Sequence, residues 1–197
     1  GTGATISSNI PTSLAETKFG VLLCTTGTTA TGRVGYTLGS NMRLINLGQI
    51  PNGGFIEVGT EVVIPTLSNA TNAYTYAFGL FSSVNVQYPT NGVGFFYTHG
   101  LNGGKFEANT FNNTVNSFSD TGIAVVAGTS YKLKIRIENN AGSYSAKFYI
   151  NGNLYATITT NIPIVLTREV TLATYMLKSV GTTARTFLTD WVYMIVD

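Results

Sequence analysis

The fold is decided by residues 131–159, which read YKLKIRIENNAGSYSAKFYINGNLYATIT. Positions 131, 133, 135 and 137 are apolar and the positions between them are charged, which is the period of a strand with one buried face. Asn151 and Gly152 then stand between two runs rich in aromatic and β-branched residues. Both central residues of a type I′ turn need positive φ, so this pair predicts a long β-hairpin folded about residues 151 and 152.

Similar strand patterns lie on both sides of that hairpin and are separated by turn sequences. The clearest turns are residues 51–54 (PNGG), 89–92 (PTNG), 101–104 (LNGG) and 181–183 (GTT). No segment carries apolar residues at helical spacing over three turns. The sequence therefore predicts an all-β fold, an antiparallel two-sheet β-sandwich forming a single domain over residues 17–197. Residues 1–16 are small and polar and are predicted to be an entry segment or linker.

Charge and cysteine content exclude several classes of protein. Charged residues make up 10% of the chain, against about 25% in an average soluble domain. The net charge is only +2 and no basic block occurs, so no nucleic-acid partner is predicted. No run of about 18 apolar residues is present, so no membrane insertion is predicted. Cys24 is the single cysteine, which excludes an internal disulfide, and its apolar surroundings indicate a small buried side chain.

Catalytic patterns are sparse. Cleavage of a glycosidic bond needs two carboxyl groups about 5–5.5 Å or about 6.5–9.5 Å apart. Glu57 and Glu61 share a strand face, but at about 3.3 Å per residue their backbones lie about 13 Å apart. An acid pair could still form across strands from Glu57, Glu61 and Glu107; otherwise these are solvated strand-face charges. His99 is the only histidine and no Gly-x-Ser-x-Gly occurs, so we expect no catalytic residue and a protein that is not an enzyme.

Metal-binding patterns are absent from the sequence, whereas residues that could bind a sugar are present. There is no second histidine, no cysteine pair and no clustered Asp-x-Asn-x-Asp loop, so no metal and no other cofactor is predicted. Sugar rings stack on aromatic side chains. Phe95, Tyr97 and His99 point to one side of their strand and the alternate residues to the other, and the pattern leaves open which side is core. We predict that Phe95, Tyr97 and His99, with Glu57 and Glu61, bind a ligand, although most aromatic side chains in such a fold pack in its core.

Eight short motifs, taken in order along the chain, resemble those of a known family. They are residues 54–58 (GFIEV), 77–80 (AFGL), 92–97 (GVGFFY), 120–125 (DTGIAV), 131–135 (YKLKI), 148–152 (FYING), 161–163 (NIP) and 189–193 (TDWVY). The series is similar to the concanavalin A-like jelly rolls of lectins and glucanases, and in particular to those of bacteriophage tail-fibre, spike and head-decoration proteins. The glucanases of this fold carry Glu-x-Asp-x-x-Glu, which this sequence lacks.

The resemblance implies surface recognition, often of glycans, commonly in trimers on a virion. We therefore expect a domain at the virion surface, and thus extracellular, that attaches to a host cell-surface glycan or protein receptor. Its other expected partners are further virion proteins and two copies of itself in a homotrimer, which would cover exposed strand edges. Two alternatives remain open at this point. One is a purely structural capsid or tail assembly or decoration module, and the other is a polysaccharide-cleaving enzyme.

Overall fold

The computed structural model describes residues 3–8, 21–38 and 45–197. This part of the chain forms two antiparallel sheets and a single turn of 3-10 helix, Leu47–Gln49, which confirms the predicted β-sandwich. In chain order the strands are β1 (Thr5–Ser8), β2 (Leu22–Thr25), β3 (Arg33–Thr37), β4 (Phe55–Val63), β5 (Tyr74–Phe81), β6 (Gly92–Tyr97), β7 (Lys105–Asn112), β8 (Val115–Ala124), β9 (Ser130–Asn140), β10 (Ser143–Ile150), β11 (Asn153–Ile158), β12 (Thr171–Lys178) and β13 (Thr186–Val196).

The two sheets pack face to face around one main core. The seven-stranded sheet has the order β1-β2-β13-β4-β9-β10-β11, and the six-stranded sheet has the order β3-β12-β5-β6-β7-β8. Alternate residues of each strand point inward, as the period of two requires. Leu133, Ile135 and Ile137 of β9 are fully buried, and so are Phe78 and Leu80 of β5 in the opposite sheet. The apolar alternation in residues 131–137 therefore marks the core face of its strand.

The stretch that decides the fold contains one more strand than the sequence predicts. Residues 130–158 form the meander β9-β10-β11 rather than one long hairpin. Asn151 and Gly152 do make the predicted turn, with φ of 52° and 86°. Ala141 and Gly142 make a second turn with φ of 52° and 86°, and the Gly142 N–H donates to Asn139 Oδ1 at 2.9 Å. The long hairpin is thus corrected, because the Asn-rich run at 139–142 reverses the chain too.

The start of the chain contributes a strand to the sandwich. Thr5–Ser8, within the predicted entry segment, form β1 and pair with β2. Residues 1–2 and 9–16 of that segment lie outside the described residues. Cys24 on β2 is fully buried, which confirms its predicted place in the core. Among the residues described, no helix is long and apolar enough to cross a membrane.

Candidate functional site

Phe95 and Tyr97 face the core. Phe95 is 0% exposed and its ring lies 5.3 Å from that of Phe148 in the opposite sheet. Tyr97 is 1% exposed, and its hydroxyl accepts the Ser68 N–H at 3.1 Å. Neither ring has surface to offer a ligand, so Phe95 and Tyr97 cannot make the ligand contacts that the sequence predicts for them. The physical reason is that odd positions of β6 point between the sheets and even positions point outward.

His99 lies just beyond the end of β6 and is half-buried. Its Nδ1 atom is 3.0 Å from Ser68 Oγ, and the same hydroxyl accepts the Tyr74 N–H at 3.0 Å. The imidazole therefore joins the loop at residue 68 to the end of the six-stranded sheet. In the described part of the chain, no carboxyl group forms a hydrogen bond with the His99 imidazole.

Glu57 and Glu61 lie on the outer face of the seven-stranded sheet, where both carboxylates have partners. Glu57 lies 3.4 Å from Lys134 Nζ, and it accepts the Tyr193 hydroxyl at 2.8 Å. Glu61 accepts the indole N–H of Trp191 at 3.1 Å. Glu107 lies on the outer face of the other sheet, so it cannot form an acid pair with either of them.

The outer face of the six-stranded sheet presents a row of residues that runs straight across the strands. Strand registers place one residue of each strand side by side along this row. Five steps of about 4.8 Å make the row about 24 Å long. The row has a carboxyl group at one end, an aromatic middle and a small residue at the other end. Its members, in order from β8 to β3, are Asp120, Glu107, Phe96, Ala77, Tyr175 and Gly35.

Glu107 is a buried carboxyl group on this face. It is 4% exposed and accepts hydrogen bonds from Asn102 Nδ2 at 2.6 Å and Asn109 Nδ2 at 2.7 Å. Burial raises the pKa of Glu107, the two amides oppose that rise, and the charge of Asp120 adds to it. The protonated form of Glu107 is therefore more populated at a given pH than that of an ordinary glutamate.

Asp120 stands directly opposite Glu107 on the neighbouring strand and is exposed. It accepts the Gly122 N–H at 2.8 Å and a hydrogen bond from Lys105 Nζ at 2.9 Å. These two donors lower the pKa of Asp120. Two adjacent carboxyl groups whose pKa values are shifted in opposite directions are the usual arrangement of an acid and its ionised partner.

Two buried polar atoms on the same face have no hydrogen-bond partner in the structure. One is Oδ1 of Asn109, whose amide nitrogen holds Glu107, and the other is the hydroxyl of Tyr175. Both residues are at most 1% exposed. Buried polar groups are nearly always hydrogen-bonded, so such atoms mark places where a ligand or water completes the site.

The loop formed by residues 82–91 lies over the middle of the row. Tyr88 of this loop packs on Phe96 and Phe111, with ring centroids 5.5 and 5.7 Å apart. Burial raises the pKa of Tyr88 and the nearby Glu107 carboxylate adds to the rise, while burial and then Tyr88 raise the pKa of Tyr175. Tyr88 therefore lies close to both Glu107 and Tyr175 on this face.

Two adjoining cavities open on the β3 side of this loop. The larger has a volume of about 480 Å³ and lies between Arg33, Lys178 and Gln87. The smaller has a volume of about 240 Å³, shares Arg33 and Asn85 with the first and extends to Tyr175. The described residues contain no group of three or more His, Cys, Asp or Glu side chains that could hold a metal ion. The face thus combines a carboxyl pair, an aromatic centre and polar cavities.

Two antiparallel sheets of this order have the fold of a concanavalin A-like jelly roll. The chain belongs to the family described as SO2946-like, C-terminal domain, which matches residues 17–190. A search of the curated proteins finds no match.

Several solved structures share the fold. An endo-1,3-β-glucanase from Streptomyces sioyaensis superposes with a TM-score of 0.62 at 15% identity, over 89% of this chain and 75% of that one. The alginate lyase AlyC3 gives a TM-score of 0.60 at 12% identity, over 90% of this chain and 75% of that one. A carbohydrate esterase from the Shiga toxin-encoding bacteriophage phi24B gives 0.53 at 14% identity, over 98% and 87%.

These comparisons correct one prediction. The sequence led us to expect a protein that is not an enzyme, whereas the solved structures of this fold named above are a glucanase, a lyase and an esterase. At these identities the likeness concerns the fold alone. It nevertheless removes the ground for excluding an enzyme, because this jelly roll is a scaffold on which carbohydrate-active enzymes are built.

Proposed function

We propose that this domain binds and cleaves a polysaccharide on the outer face of its six-stranded sheet, with Glu107 as the proton donor. The observation that carries the proposal is the pair Glu107 and Asp120, two facing carboxyl groups with opposite pKa shifts. Cleavage of a glycosidic bond needs an acid that protonates the leaving oxygen and a second carboxylate that stays ionised. Glu107 has the raised pKa of the acid, and Asp120 has the lowered pKa of its partner.

The spacing of the pair fits this chemistry. Directly opposed residues of antiparallel strands have Cβ atoms about 4.5–5.5 Å apart, so carboxyl separations of the kind used by glycosidases are within reach. Strand β7 also carries Glu107, Asn109 and Asn112 at the spacing of the glucanase motif Glu-x-Asp-x-x-Glu. Amides cannot exchange protons in this way, so the second carboxylate has to come from the neighbouring strand, where Asp120 stands.

Other groups on the face suit a sugar chain. The Oδ1 atom of Asn109 and the Tyr175 hydroxyl lack a partner, and because both are buried a sugar hydroxyl would bond to them only after the side chains that cover them move aside. Phe118 lies beside Asn109 on the edge strand β8 and is 64% exposed, so its ring is available for stacking. The face therefore offers an exposed ring for stacking and, once uncovered, two atoms that can hydrogen-bond to a sugar.

The biological setting extends the proposal. We propose that the domain stands at the surface of a virion, on a bacteriophage fibre, spike or head decoration, and attaches to a polysaccharide of the host envelope. The support is the ordered motif series together with the fold shared with a bacteriophage carbohydrate esterase. A homotrimer and contacts with other virion proteins belong to the same proposal. Light scattering should then give three times the 21.0 kDa chain mass, and a stable monomer at micromolar concentration would contradict the trimer.

The catalytic part is tested with a panel of polysaccharides and an assay for new chain ends. The wild type should cleave at least one of them, and Glu107→Gln and Asp120→Asn should each abolish the activity while binding persists. Glu138→Gln is the matched control, because Glu138 is a half-buried carboxylate on the opposite sheet, bound by Lys147 at 2.6 Å. The proposal fails if no polysaccharide is bound or cleaved, or if the control loses as much activity as the two site variants.

A further inference from the structure

The larger cavity beside the loop 82–91 is lined mainly by cationic and neutral polar side chains. Thr75 and Leu177 form its floor on the sheet, and Asn85 and Gln87 reach it from the loop. Arg33 lies beside Leu177 on the neighbouring strand, and Lys178 follows Leu177 in sequence. Among the described residues no aspartate or glutamate lines this cavity. At about 480 Å³ it is within the size range of small-ligand sites.

Neither Arg33, which faces the cavity, nor the buried Lys178 beside it has a carboxylate partner in the described part of the chain. Lys178 is 5% exposed, and its Nζ atom lies 3.4 Å from the Gly27 carbonyl oxygen, longer than a normal hydrogen bond. Arg33 makes no hydrogen bond or ion pair with any other described residue. Four other cations do have a carboxylate within 4.0 Å, namely Lys105, Lys134, Arg136 and Lys147.

A third cation, Arg185, lies close to Lys178. Arg185 is 8% exposed, and its Nε atom is buried without a partner. Burial lowers the pKa of Lys178, and the charge of Arg185 lowers it further. A buried charge is costly unless an opposite charge or good hydrogen bonds compensate it. None of the described acidic side chains therefore neutralises the positive charge of Lys178 and Arg185 behind the cavity.

We infer that this cavity binds an anionic group carried by the sugar chain, so that the ligand of the domain is an acidic polysaccharide. The inference rests on the proposed function, since it names the class of ligand for the same face. A carboxylate or a sulfate could accept hydrogen bonds from the Arg33 guanidinium, and Asn85 and Gln87 could bind neighbouring hydroxyls. The buried charges of Lys178 and Arg185 would add to the attraction without touching the ligand. The smaller cavity continues from Arg33 to the free hydroxyl of Tyr175, toward the row that ends at Glu107 and Asp120.

The test compares matched ligands that differ only in charge. Calorimetric titration uses an oligogalacturonate and its fully methyl-esterified form, and dextran sulfate with neutral dextran as the second pair. Wild-type protein should bind the charged member of at least one pair at least tenfold more tightly, and added salt should weaken that binding. Arg33→Gln should reduce the affinity for the charged member roughly tenfold and leave the neutral member unaffected. Arg33 is exposed, so this variant is expected to fold.

Lys132→Gln is the control, because Lys132 is an exposed cation on the outer face of the opposite sheet. Equal affinity for charged and neutral members would overturn the acidic-ligand inference and leave the proposed function standing. An equal loss in Lys132→Gln and Arg33→Gln would also overturn it, since the attraction would then be a property of the whole surface. Binding to neither pair nor to any other polysaccharide would overturn the proposed function as well. Preference for dextran sulfate alone would support the inference and assign a sulfate.

Discussion

Replacement of Glu107 by leucine should destabilise the fold by about 1–3 kcal/mol more than replacement by glutamine. Two amide donors hold the Glu107 carboxylate, Asn102 Nδ2 at 2.6 Å and Asn109 Nδ2 at 2.7 Å. Leucine would leave both donors without an acceptor. Asn102 is half-buried and can turn to water, whereas Asn109 is fully buried and cannot. One unsatisfied buried donor is worth about 1–3 kcal/mol, which sets the expected difference.

Glutamine avoids this loss because Asn109 can turn its amide over. Its Oδ1 atom has no partner in the native structure, so a flipped Asn109 can accept a hydrogen bond from the side-chain amide that Glu107→Gln introduces. Asn102 then still donates to the remaining oxygen of that side chain. The hydrogen bonds are conserved in number, and Glu107→Gln should change the free energy of unfolding by less than about 1 kcal/mol.

The assay is urea denaturation of the wild type and both variants, followed by tryptophan fluorescence and circular dichroism. Phe106→Leu serves as a reference for an apolar change in the neighbouring core residue of the same strand. Equal destabilisation by glutamine and leucine would refute the reasoning, because the buried amide of Asn109 would then not depend on an acceptor at position 107. A large loss in the glutamine variant would show that Asn109 cannot flip.

Three further predictions concern the same fold. Burial raises the pKa of Glu107 in the folded state, so the folded protein holds that proton more tightly than the unfolded chain does. The melting temperature of the wild type should therefore fall relative to that of Glu107→Gln as the pH rises from 4.5 through the raised pKa. A difference in melting temperature that stays constant over this pH range would contradict the prediction. Phe148→Ala should cost about 3–5 kcal/mol in urea denaturation, because the ring is fully buried against Phe95, and a loss below about 1 kcal/mol would contradict the packing. Burial raises the pKa of the Cys24 thiol to about 12, so a thiol reagent at pH 8 should label it only after unfolding, and rapid labelling of native protein would disprove its burial.

The sequence predicts the architecture because its signals are local. Alternation at positions 131–137 marks a strand with one buried face, and Asn151-Gly152 can adopt the positive φ values that its turn needs. The extra turn at Ala141-Gly142 was missed because alanine carries no turn preference. Strand β3 has no such local signal: its five residues, RVGYT, show no clear alternation, although they bring Arg33 to the cavity.

The candidate site depends on pairing between strands, which local patterns do not contain. Glu107 could be named as an acid, but its partner Asp120 is thirteen positions away and is set opposite by the turn between β7 and β8 and a bulge. Phe95 and Phe96 are equally apolar, so only the register of β6 against its neighbours decides which ring faces the core. Tyr88 and Tyr175 carry no sequence signal, since their role comes from the way loop 82–91 folds over the sheet.

The most direct test of the polysaccharide site is a crystal structure of Glu107→Gln with a bound oligosaccharide from the binding panel. We predict that the sugar chain lies across the six-stranded sheet, with one unit between Asp120 and position 107, a charged group at Arg33, and the loop 82–91 displaced from the middle of the row. An oligosaccharide bound instead to the opposite sheet, beside Glu57 and Trp191, would contradict the central claim.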